Sequence, residues 1–91
     1  MKLSAYNSSI VERLTLAIES FDVGRVNLGE VQASLQAAIP LFKNDGSGVA
    51  DVVRLAEADL EKIQFAVLAG EQHSAAVLRL DQLRSLIESM T

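Results

Sequence analysis

The sequence predicts an all-α protein, a small antiparallel bundle of about four helices whose third helix is the longest and whose second is kinked or ended near Pro40. Three observations point there. Apolar residues recur at helical spacing in four segments, and no segment of useful length alternates as a strand would. Two helix starts carry capping-box spacing, Ser9 with Glu12 and Asn27 with Glu30. The 91 residues are 49% hydrophobic but only 4% aromatic, so the core must be built from Leu, Ile, Val and Ala, which suits closely packed helices.

The elements follow in order, as one domain over residues 1–91. Residues 1–8 read as a loose lead-in, with Leu3 and Tyr6 able to fold back onto the body. The first helix is expected to open at Ser9, with Ile10, Leu14, Ala17, Ile18 and Phe21 on one face and Val11 at its edge. Gly24 is a natural left-handed stop. Asn27 then caps the second helix, with Val26 and Val31 placed as a hydrophobic staple. Its face is Leu28, Val31, Leu35, Ala38, Ile39 and Phe42 until Pro40 removes a backbone donor and crowds the preceding turn. Residues 44–48, Asn-Asp-Gly-Ser-Gly, form the clearest loop. The third helix is predicted from Gly48 to Ala69, roughly 30 Å at 1.5 Å per residue, with Gly70 ending it. Its stripe is Val49, Val52, Val53, Ala56, Leu60, Ile63 and Val67. The fourth starts at His73 or Ser74 and aligns Ala76, Leu80, Leu83, Leu86, Ile87 and Met90. Short joins make successive helices antiparallel.

Composition excludes several functions. With no cysteine there is no disulfide, thiol nucleophile or thiolate zinc site. No run approaches the ~18 apolar residues of a membrane span, and the N-terminus has no apolar signal core, so a cytoplasmic protein with no membrane association is the expectation. Net charge is −4. Residues 46–73 hold five of the acids (Asp51, Glu57, Asp59, Glu61, Glu71) against Arg54 and Lys62. Nucleic acid would be repelled by such a surface, whereas a basic protein would be attracted.

No residue set announces catalysis, a metal or a cofactor. His73, the only histidine, has Gln72 and Ser74 as neighbours and no partner nucleophile, so a helix cap or an exposed ring is its expected role. Glu57 and Glu61 have the i, i+4 spacing of di-metal bundles but lack the Glu-x-x-His pairs on facing helices. The glycines around Ser47 lack the lysine and strand of a phosphate loop. The reading is therefore of a protein that is not an enzyme.

Two other features stand out. Asp59 falls within the apolar arc of the third helix and Arg79 within that of the fourth, within about a turn of each other in an antiparallel hairpin. An ion pair that sets helix register is one reading; two side chains that snorkel to water is the other. Phe65, in contrast, lies nearly opposite the buried stripe, in the company of Arg54, Glu57, Glu61 and Leu68. An aromatic with a polar rim has the composition of an interface anchor, and these five residues form the predicted partner-binding surface. Leu16, Leu55, Val77 and Leu78 are likewise off their helices' apolar faces. Burial of the third helix on a second side would account for Leu55.

The segment Glu57-Ala-Asp-Leu-Glu-Lys-Ile-Gln-Phe65-Ala-Val, with the turn and the helix from Ala75 to Leu86 that follow, resembles the small all-helical immunity proteins of bacterial polymorphic and contact-dependent toxin systems. The likeness spans roughly the second to fourth helices and is one of pattern. It implies a stoichiometric inhibitor that binds one cognate toxin domain, commonly a basic nuclease, and needs no cofactor. The alternative is a self-associating structural or adaptor module, a homodimer built on the extra apolar face.

Overall fold

The computed structural model describes residues 2–91. It is an all-α four-helix bundle: α1 (Ala5–Asp22), α2 (Leu28–Ala38), α3 (Val49–Ala66) and α4 (Gln72–Glu88), with 3₁₀ turns at Ile39–Leu41 and Ala69–Glu71. Helices adjacent in sequence are adjacent in space, and α4 closes against α1, so α1 and α3 stand at opposite corners.

The start of α1 corrects the expected Ser9 cap and the loose lead-in over 1–8. The cap is Ser4, in extended conformation, whose side chain accepts the Asn7 N–H at 3.1 Å. Ser9 lies inside the helix, its hydroxyl turned back to the Ala5 carbonyl. The reason is tertiary. Asn7 is fully buried; its Nδ2 donates to the Lys43 carbonyl and to Asp45 Oδ2, both at 2.8 Å, and its Oδ1 accepts the Lys43 N–H at 2.9 Å. Asp45 Oδ2 also accepts the Ser4 N–H at 2.8 Å. The first turn of α1 is thus pinned to the loop before α3.

The other signals act as expected. Gly24, at φ +82°, closes α1 in a Schellman arrangement, with Arg25 N–H on the Ser20 carbonyl and Gly24 N–H on that of Phe21. Asn27 and Glu30 make both bonds of the capping box. Pro40 ends α2 and converts the next turn to 3₁₀. α3 is shorter than predicted and, at 18 residues, equals α1 in length. It ends at Ala66, with Val67 extended, and Gly70 lies in the following 3₁₀ turn. Gln72 Nε2 donates to the Gln64 and Val67 carbonyls, which supplies partners that a longer helix would have supplied itself.

The core is built from the predicted stripes: Ile10, Leu14, Ile18 and Phe21; Val31 and Leu35; Val49, Val53, Ala56 and Leu60; Ala76, Leu80, Leu83 and Ile87. Fully buried Ala56 and Ala76 provide small side chains on the facing helices α3 and α4. Leu86 was expected inside but is 47% exposed, and Leu55 is 63% exposed. The chain therefore encloses α3 on one side only, because four helices leave the outer arc of each to solvent. Val77 turns partly into the core, while Leu16 and Leu78 stay outside.

Candidate functional site

α3 carries the candidate surface on the arc opposite its core stripe. Phe65, in its last turn, is 83% exposed, and Leu68, just past its end, is 75% exposed. Ala66, Ala69 and Gly70 are exposed as well, so the tip of the α3–α4 hairpin presents a run of apolar surface. Such a contiguous patch has more significance than scattered apolar residues, because it adds a large unfavourable hydration term at one place.

The remaining predicted residues divide. Glu61 is exposed one turn before Phe65 and belongs with it. Arg54 is eleven residues away, about 16 Å along the axis, and pairs with Asp51 at 2.8 Å. Glu57 turns aside: its Oε1 accepts Gln36 Nε2 at 2.7 Å and Gln32 Nε2 at 3.2 Å. Arg54 and Glu57 therefore stand apart from Phe65, each held by a partner within the chain. The exposed charged residues one turn before Phe65 are Glu61 and Lys62, so its immediate surroundings are less acidic than composition along the chain implied.

What diverts Glu57 is a polar seam between α2 and α3. Gln32 is 8% exposed and accepts from Gln64 through Oε1 while its own amide donates to Glu57. Each buried amide is thus satisfied, as burial requires. A sequence signal existed: Gln32 is four residues after Leu28 and three before Leu35, hence on the core face of its helix.

Asp59 and Arg79 do meet, with Nε to Oδ2 at 2.6 Å; the side chains are 41% and 19% exposed respectively. This decides between pairing and snorkelling. Asp59→Ala would strand a mostly buried guanidinium. Loss of one partner costs about 3–5 kcal/mol when a pair is fully buried, and access of water to the Asp59 side reduces the expectation to about 1–2 kcal/mol. A double-mutant cycle with Arg79→Ala, read by urea denaturation, should give clear positive coupling; coupling of zero would contradict a structural pairing.

His73 is not a cap, since α4 begins without a side-chain cap bond. It stays exposed at its edge while its ring packs at 4.6 Å, centroid to centroid, on that of Phe21. Ser47 serves the loop, donating through N–H and hydroxyl to Asp45 Oδ1 at 2.9 and 2.5 Å. Among the described residues no three His, Asp or Glu side chains converge as a metal site would need, and no helix is long and apolar enough to cross a membrane. No protein-family model matches the chain, and no curated protein or solved structure matches it at a significant level.

Proposed function

We propose that this chain is a non-catalytic protein-interaction module, an immunity protein that binds and neutralises a cognate bacterial toxin domain in the cytoplasm, with Phe65 and Leu68 as its apolar anchors. The observation that carries the reading is an 83%-exposed phenylalanine near a 75%-exposed leucine at the tip of the α3–α4 hairpin, the two most exposed of the bundle's large apolar side chains. Folding gains nothing from those side chains where they stand. A partner that desolvates them would gain roughly 1.5–3 kcal/mol for each. The pattern shared with small helical immunity proteins supplies the kind of partner.

The test uses the product of the adjacent open reading frame, titrated calorimetrically with the purified chain. Phe65→Ala should weaken binding by about 2 kcal/mol or more, roughly thirtyfold, while the circular dichroism spectrum and denaturation midpoint stay as in the parent. Unchanged affinity would remove Phe65 from the interface. A concentration-independent dimer in light scattering, abolished by Phe65→Ala, would instead favour the self-associating module.

A further inference from the structure

The charges of this bundle are segregated in space in a way that the linear order conceals. On α3 two of the four acids are paired with a base, Asp51 with Arg54 and Asp59 with Arg79, a third, Glu57, accepts from two glutamine amides, and Glu61 stays exposed. Between α1 and α4 the acids share one base. Arg84 is the one base there, with Asp22, Asp81 and Glu19 at 3.4, 3.8 and 3.9 Å. One guanidinium cannot satisfy three carboxylates, and Asp22 Oδ1 is left buried with no hydrogen-bond partner. Glu12 continues the α1 row, seven residues before Glu19, and Glu88 lines a groove of about 140 Å³ between the helices with Val11, Thr15 and Ile87. That makes five carboxylates to one guanidinium. These five acids and one base give the face a formal charge of −4.

The same face carries unpartnered aliphatic side chains in register with the acids. Glu12, Leu16, Glu19 and Val23 follow one another at intervals of four, three and four, and all are exposed, Leu16 at 63% and Val23 at 69%. The two acids and the two aliphatics are each seven residues apart, about 10 Å along the helix. None of the four contributes to the core, which α1 reaches through Leu14, Ile18 and Phe21. A second copy of the chain would set acid against acid within a Debye length of about 8 Å, and nucleic acid or an anionic membrane meets the same repulsion. Lysine or arginine side chains around an apolar stripe fit both features together.

We infer that the α1–α4 face is a docking surface for a lysine- and arginine-rich helical segment of another protein, which its carboxylates attract and Leu16 and Val23 seat. It is built on α1 and α4 and not on α3, which carries Phe65, and it does not rest on the toxin-binding reading. The probe is a synthetic basic helix with two leucines seven residues apart, titrated into the ¹⁵N-labelled full chain at low and at physiological ionic strength. Amide shifts should gather on Glu12, Leu16, Glu19, Val23, Asp81 and Glu88. Glu12→Lys with Glu88→Lys should weaken binding about tenfold or more at low salt. Asp51→Lys with Glu61→Lys, which changes the net charge equally, should change it less than about twofold. Leu16→Ser with Val23→Ser should weaken binding and leave its salt dependence intact. Equal losses from the two charge reversals would reduce the effect to net charge and overturn the inference, as would shifts centred on Phe65 and Leu68 or no binding of the peptide.

Discussion

Phe21→Ala should cost about 3–5 kcal/mol of folding free energy, a large part of the roughly 5–15 kcal/mol available to a domain. Phe21 is 2% exposed and sits at the end of the bundle where α1 turns towards α2 and α3 towards α4. Its neighbours there include Val26, Leu28, Gln64, Gln72 and the ring of His73. Truncation opens a void whose walls belong to two hairpins, so one helix cannot relax to fill it without disturbing the other. Urea denaturation followed by circular dichroism measures the loss, and a value under about 1 kcal/mol would mean the junction can collapse around the gap. The identical substitution at Phe65 should leave the midpoint unmoved, since an 83%-exposed ring has little burial to lose. His73→Ala should have a small effect, because its ring lies at the open edge of the contact.

Asn7→Leu is expected to cost about 1–3 kcal/mol, because the part-buried Lys43 N–H and C=O groups lose their partners, water reaching them in part. Leucine has similar volume, so the loss reports lost hydrogen bonds more than a cavity. A stability change within 0.5 kcal/mol, roughly the size of an ordinary surface substitution, would show that water replaces the side chain without penalty. The same lock has an acid dependence. Asp45 accepts from the Ser47 hydroxyl, then from the Ser4 and Ser47 backbone N–H groups and the Asn7 amide, and these bonds hold its carboxyl well below the usual carboxylate range. A depressed folded pKa contributes stability above the unfolded value, lost as pH falls through and below it. Denaturation midpoints should therefore drop as pH is lowered past 3.8, and Asp45→Asn should flatten that part of the profile. An unaltered acid limb in Asp45→Asn would assign it to other carboxylates.

Much of the architecture was legible because it depends on local rules. Periodic apolar residues, the Asn27–Glu30 box, Gly24 and Pro40 act through their own turn of chain, and each lies where a local reading places it. The Asp59–Arg79 contact was legible too, since hairpin geometry alone brings the two positions together. The candidate surface was legible in part. The exposure of Phe65 and Leu68 follows from their angular position, and Glu61 stays exposed beside them, but Glu57 turns aside, because a long side chain chooses among partners on other helices. Gln32 and Gln36 claim Glu57 from across the α2–α3 seam.

By itself the sequence determined the helical class, the number of helices, most of the core and the placement of the exposed aromatic, all consequences of backbone geometry and the avoidance of water by apolar side chains. Tertiary structure alone decided where α1 begins, which carboxylates are paired and which of them share one arginine. Ser4 and Ser9 are both competent caps; Asn7, buried against a loop 36 residues away, selects the first. Two of the four acids of α3 find a base on their own or a neighbouring helix, while Glu19, Asp22 and Asp81 of α1 and α4 converge on a single arginine. Electrostatic energy depends on distances through space, and a linear sequence does not contain those distances until its helices have packed.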